Sequence, residues 1–210
     1  MNKLKNIVFC GVLGTRVLFA ENYVEIKSGL GAQSDCNAMC YKTTYCFSGE
    51  IGHSFDAWRL GVQFGQHTFK SGKTDGVYHE TIFNCDGKTS SNGKFKVLAA
   101  LLNAYYDHKI QDNLSAYIGV GFGISNVKYH FYDRVVKTKD YNLSKNALCG
   151  QIMTGFVYNI TSKWALSLGY RCMKTETVYY SHPDFSAGTD IKSLKTPFLH
   201  ALELGLRYSF

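Results

Sequence analysis

From residue 23 onward the chain alternates large apolar residues with polar or small ones at a period of two. That is the spacing of a β-strand with one apolar face. In Tyr23–Ala32, Val24, Ile26, Leu30 and Ala32 share one face, and Tyr23, Glu25, Lys27, Gly29 and Gly31 share the other. Tyr45–Phe55 sets Phe47, Ile51 and Phe55 against Ser48, Glu50 and Ser54. Trp58–Phe69 sets Trp58, Leu60, Val62 and Phe64 against Arg59, Gly61, Gln63 and His67. The alternation is as clear in Ala116–Val127 and Trp164–Met173. In Phe198–Phe210, Leu202, Leu204, Leu206, Tyr208 and Phe210 oppose Glu203, Gly205, Arg207 and Ser209. Ala147–Tyr158 alternates weakly, and Phe95–Tyr106 is apolar on both faces, a pattern that taken alone also suits a helix. The reading is eight strands.

The links between them alternate in length. Asp56–Ala57, Asp107–Leu114 and Asn159–Lys163 are short; Gln33–Thr44, Lys70–Lys94, Lys128–Lys145 and Thr177–Pro197 are long. Short turns at one end and long loops at the other are the plan of an up-and-down barrel that crosses a membrane. Tilted segments of about ten residues are long enough to do so.

The strand charges decide between a soluble and a membrane barrel. Glu25, Lys27, Glu50, Arg59, Arg171, Glu203 and Arg207 all fall opposite the large hydrophobes. In a soluble barrel the apolar face fills the interior and these charges meet water. In lipid the pattern inverts, and the charges line the lumen. Trp58, Trp164, Tyr106, Tyr158, Tyr208 and Phe210 fall near strand ends, where aromatic girdles meet lipid headgroups. The start of the chain favours the inverted reading. Met1–Ala20 has basic Lys3 and Lys5, an apolar Ile7–Leu13 and a small Ala20, the order of a signal peptide cleaved after Ala20. The expectation is an all-β, eight-stranded antiparallel up-and-down transmembrane β-barrel over residues 21–210, with four long extracellular loops.

Composition agrees. Strand-forming aromatics abound, with 15 Tyr and 14 Phe, and no run approaches the ~18 consecutive apolar residues of a transmembrane helix. Residues 1–20 hold three of the 23 basic residues and no acid, so without them the formal charge falls from +7 to +4. No concentrated basic stripe remains, which argues against a nucleic-acid partner.

The final residues, Leu202-Glu-Leu-Gly-Leu-Arg-Tyr-Ser-Phe210, resemble the terminal strand of bacterial outer-membrane proteins, which ends in an aromatic. Leu102-Asn-Ala-Tyr-Tyr-Asp107, Ala116-Tyr-Ile-Gly-Val-Gly-Phe-Gly123 and Leu166-Ser-Leu-Gly-Tyr-Arg171 are similar to the small outer-membrane β-barrel superfamily. That group includes OmpA-like barrels, opacity adhesins and rickettsial surface antigens, and the resemblance spans essentially the whole mature chain. It implies a Gram-negative outer-membrane protein that reaches the cell surface through the periplasm and holds no cofactor. Its implied partners are outer-membrane lipid and lipopolysaccharide, the barrel-assembly machinery, for which Phe210 is the signal, and host surface molecules met through the loops. The implied role is anchoring and display, as adhesin, surface antigen or envelope-integrity protein. A narrow porin is the alternative. The six cysteines left after cleavage depart from the pattern, since most relatives have few or none.

Cys36, Cys40 and Cys85 fall in predicted loops, and Cys46 at the start of the second strand. Among these four, one or more disulfides suit an oxidising compartment better than the loose Cys36-x3-Cys40-x5-Cys46 spacing suits a metal. Cys149 and Cys172 lie on neighbouring strands with opposite facing, which disfavours pairing. The seven strand charges either line an ion path or form a structural network. An eight-stranded bore is just wide enough for side chains to fill, which favours the network. A lipid A-modifying enzyme needs a Ser, a His and a carboxylate in convergence. Ser90, Ser91, His79, His130, His182, Asp133 and Asp184 are available in loops, in no recognised motif. The third long loop is given Lys128, Arg134, Lys137, Lys139 and Lys145, a set that suits lipopolysaccharide phosphates or an acidic host surface. On the last strand, Leu204→Arg is expected to be costly in lipid, whereas its inward neighbour Gly205→Ala removes no polar pair.

Overall fold

The computed structural model describes residues 20–33, 41–71, 92–132, 140–176, 178–180, 192–194 and 198–210. Eight long strands close into one antiparallel barrel: β1 (Ala20–Gln33), β2 (Tyr41–Phe55), β3 (Trp58–Ser71), β4 (Asn92–Gln111), β5 (Leu114–Tyr132), β6 (Asp140–Asn159), β7 (Trp164–Thr175) and β10 (Phe198–Ser209). Consecutive barrel strands pair in chain order, and β1 pairs with β10 to close the ring. A short hairpin of β8 (Val178–Tyr180) and β9 (Lys192–Leu194) pairs separately, within the link assigned to the fourth loop. The segment that is apolar on both faces is strand throughout.

Following cross-strand partners once round the barrel leads from Phe55 through Trp58, Tyr106, Ile118, Thr154, Tyr170, Leu202 and Leu30 to Tyr45. The path returns to β2 ten residues from its start. Tilt, stagger and bore are linked, and this stagger corresponds to strands inclined at about 40°. It also opens the lumen enough for Arg and Tyr side chains.

The alternation sorts the two faces. Leu204, Leu102 and Phe64 are 69%, 68% and 63% exposed, whereas Arg59, Glu25 and Arg171 are each 1% exposed. Outward apolar side chains meet hydrocarbon, the arrangement in which lipid replaces the core of a soluble protein. At the turn end, edge-to-face Trp58 and Tyr106 lie 5.1 Å apart, Trp164 and Tyr208 lie 4.8 Å apart, and Phe210 stacks on Tyr208 at 6.2 Å. Asn22 and Phe210 exchange backbone hydrogen bonds of 3.2 and 2.9 Å, which pins the two closing strands together.

Local chemistry orders two of the three turns. Asp56 adopts φ 56°, a left-handed conformation that Asp tolerates better than most residues. The Thr161 hydroxyl accepts backbone N–H bonds from Lys163 and Trp164 at 3.2 and 3.0 Å, ordering the link from 160 to 163. The middle turn corrects the sequence reading. It is only Asp112–Asn113, because β4 continues to Gln111 and β5 starts at Leu114. Asp107, His108 and Lys109 are strand residues. At the rim of a membrane barrel polar residues are as much at home in a strand as in a turn, so their polarity does not mark its end. The third loop needs the same correction, because Lys128 pairs with Ser144 and Lys145 with Val127 on β5 and β6.

Candidate functional site in the barrel lumen

All seven strand charges lie in the lumen, and an eighth joins them. Arg59 on β3 holds Asp107 on β4 in a two-pronged pair, with Nε to Oδ2 at 2.5 Å and Nη2 to Oδ1 at 2.8 Å. Its guanidinium also faces the rings of Tyr105, Tyr117 and Tyr23 at 4.3, 5.5 and 5.7 Å. Arginine suits this position because its planar fork can stack and bond at once. With Asp107, the paired charges in the lumen among the described residues are four cations and four carboxylates.

Glu25 and Glu50 are cross-strand partners, two acids side by side. Lys27 separates their charges, with Nζ 3.3 Å from Glu25 and 3.9 Å from Glu50. Arg207 reaches Glu25 at 3.2 Å, and the Ser167 hydroxyl donates to it at 2.6 Å. Tyr23 and Tyr105 hydroxyls each donate to Glu50 at 2.6 Å, and Asn103 donates at 2.8 Å. An amide layer continues upward: Gln151 donates to Gln63 and Asn103 at 2.9 and 2.8 Å, and Gln63 donates to Ser48 at 3.0 Å. Buried charges persist when paired and bonded in this way. Arg171 and Glu203 form a separate pair at 2.8 Å, with fewer supporting bonds.

Towards the loop end the lumen changes character. Phe69, Val97, Ala99, Leu101, Val127, Cys149, Met173 and Leu199 form one buried apolar cluster. The two-faced pattern of β4 has its explanation here, since Val97 and Leu101 fill the bore while Leu102 meets lipid. At the turn end a cavity of about 680 Å³, bordered by Tyr23, Asp107, Lys163 and Trp164, runs in to Arg59 and Arg207.

Sequence reasoning placed Tyr23 on the charged face and missed Asp107, Tyr105 and the apolar cluster. A signal existed for the first: residues 97, 99, 101, 103, 105 and 107 share one parity, so extending β4 two residues would have turned Asp107 inward.

The remaining candidates fall elsewhere. Cys46 is buried in the lumen as a free thiol, rather than placed at the start of its strand beside the loops. Cys36, Cys40 and Cys85 lie outside the described residues. Cys149 faces the lumen and Cys172 the outer wall, both free. Ser90, Ser91, His79, His182, Asp133 and Asp184 are outside the described residues, and His130 is on β5. Among the described residues no three His, Cys, Asp or Glu side chains converge as metal ligands. Substituting Gly205 removes no polar pair, but the space around it is tight. A Cβ there would overlap the Ser167 hydroxyl and come within 2.8 Å of Glu25 Oε1, so the charge network needs this glycine.

The family model described as outer membrane protein beta-barrel domain matches residues 19–210. Opacity protein opA66 of Neisseria gonorrhoeae is 27% identical over 104 residues, which is 43% of this chain and 42% of that protein. The chain thus matches less than half the length of this curated relative. Among solved structures, a major outer membrane protein from Thermus thermophilus matches with TM-score 0.58 and 14% identity, over 91% of this chain and 99% of that one. Neisserial surface protein A matches with TM-score 0.54 and 17% identity, over 91% and 97%. At these identities the likeness is one of fold.

Proposed function

Because the chain belongs to the outer membrane protein beta-barrel domain family, whose place is the bacterial outer membrane, we propose that it is a non-enzymatic anchor displaying four inter-strand segments at the cell surface. Residues 1–20 act as its export signal. The role is that of an adhesin, surface antigen or envelope-integrity protein, with host surface molecules as loop partners. One observation carries this reading: the bore is occupied twice over, by the charge network near the turns and by the apolar cluster near the loops. A lumen spent on its own packing leaves recognition to the segments joining β1 to β2, β3 to β4, β5 to β6 and β7 to β10, which leave the barrel at one end.

The test replaces 72–91 and 177–197 with tight turns. The expected product still folds into a heat-modifiable barrel and no longer supports attachment to host cells or binding of surface-directed antibodies. Glu50→Ala should lower stability and leave that binding intact. In planar bilayers the wild-type barrel should give small conductance or none. Large, stable single-channel steps that survive loop replacement would overturn the reading in favour of a narrow porin.

A further inference from the structure

The cavity of about 680 Å³ at the turn end has two buried cations at its inner end. Arg59 and Arg207 are 1% and 8% exposed, whereas the lining residues of the turns, Lys163 among them, are exposed and form its mouth. The two guanidiniums come from β3 and β10 and approach one ring, that of Tyr23, at 5.7 and 5.0 Å from its centroid. They therefore act on the same end of the cavity.

Each uses only part of its donor set within the chain. Arg59 gives Nε and Nη2 to Asp107, and Arg207 gives Nη2 to Glu25. Arg59 Nη1 and Arg207 Nε are buried with no hydrogen-bond partner among the described residues. A buried guanidinium donor without an acceptor is costly. The acids of the inner end are already committed: Asp107 holds Arg59 with both oxygens, and Glu25 is shared by Lys27, Arg207 and Ser167. The other acids of the lining, Glu21, Asp56 and Asp112, are exposed at the mouth, where Asp112 lies 3.1 Å from Lys109.

Between inner end and mouth the wall carries hydroxyls. Ser54 is the cross-strand partner of Arg59, Ser209 lies two residues beyond Arg207 on β10, and Ser115 shares the inward parity of Tyr117 on β5. At the mouth, Lys163 has no carboxylate partner among the described residues. Free guanidinium donors, then hydroxyls, then an unpaired ammonium suit a ligand whose anionic group enters first.

We propose that the turn-end cavity binds a small hydroxylated anion, a sugar acid or a sugar phosphate. Its carboxylate or phosphate meets the free donors of Arg59 and Arg207, where charge-assisted bonds to a guanidinium are strong. Its hydroxyl groups meet Ser54, Ser115 and Ser209, and Lys163 draws it to the mouth. The charge network closes the inner end, so the ligand is held rather than passed through. The site lies at the end of the barrel opposite the displayed segments and is independent of their role.

The experiment is isothermal titration calorimetry of the full-length folded barrel in detergent with gluconate, glucose 6-phosphate and glucose. At least one anion should bind saturably, and glucose at least tenfold more weakly; the tighter anion identifies the head group as carboxylate or phosphate. Ser115→Phe, which fills the cavity, should weaken that anion at least tenfold, and Lys163→Glu should weaken it several-fold. Lys145→Glu, at an exposed position near the loop end, should leave it unchanged. Failure of both anions to saturate overturns the proposal, as does glucose binding as tightly as they do. Equal losses in Lys145→Glu and Lys163→Glu also overturn it, because the effect is then one of general surface charge. If Ser115→Phe does not fold, Lys163→Glu on its exposed turn makes the distinction: unchanged affinity overturns the site.

Discussion

Near the turns, Glu25 touches Lys27, Arg207 and Ser167, three groups on β1, β10 and β7. Near the loops, Val97, Leu101, Val127 and Met173 meet other hydrophobic side chains in the same bore. Both regions are buried in the bore, yet they constrain the chain differently. A strand slipped by two residues keeps every side chain on its own face. Such a slip barely changes an apolar cluster, in which one aliphatic contact resembles the next. It removes Glu25 from its cross-strand partner Arg207 and leaves both charges without counterparts. The polar half sets the register, and the apolar half fills volume.

Breaking the polar half should have the largest effect. Glu25→Leu strands Lys27 and Arg207 in the lumen and should cost about 3–5 kcal/mol, the range for one-sided removal of a buried ion pair. Urea unfolding in lipid vesicles measures it, and adding Lys27→Met should recover part of the loss. Leu204→Arg is next, at about 2–4 kcal/mol for a cation turned towards midplane hydrocarbon. Folding into bilayers as readily as the wild type would contradict the inside–outside assignment of β10. Gly205→Ala should cost about 1–3 kcal/mol through overpacking against Ser167 and Glu25. Met173→Leu, a volume-conserving change in the apolar half, should cost less than about 1.5 kcal/mol. If it proved as damaging as Glu25→Leu, the contrast between the halves would not hold. Separately, Phe210→Asp should reduce the amount of assembled, protease-resistant barrel, because Phe210 closes β1 against β10 and caps the girdle at Tyr208.

The facing of the strands was legible wherever hydrophobic and polar residues alternated, as in Val24 to Lys27 or Leu202 to Arg207. Lipid and lumen demand opposite chemistry, so the period records the face. Partnership was not legible. That Glu25 meets Arg207 and Ser167 follows from a ten-residue stagger accumulated over eight strands, which no local stretch encodes. The ends of β4 and β5 were misplaced because Asp107 and Lys128 are polar without leaving the sheet: one pairs inside the lumen, and the other continues the pairing of β5 with β6. The apolar half of the bore was hidden for a related reason. Val97 and Leu101 face inward from a strand whose other face is also apolar, so alternation vanishes where both environments exclude water.

The closure of β1 on β10 has a consequence for biogenesis. Arg207 lies 182 residues from Glu25 along the chain, and Ser167 lies 142 residues away. Neither contact can form until nearly the whole polypeptide has been delivered, and pairings so distant in sequence form slowly. Until then Glu25 and Lys27 are charges with incomplete shells on a strand that must enter hydrocarbon, so a partial barrel has no comfortable resting place in the bilayer. Removing β10 should therefore impair insertion of the rest of the chain, because Glu25 would meet hydrocarbon without Arg207.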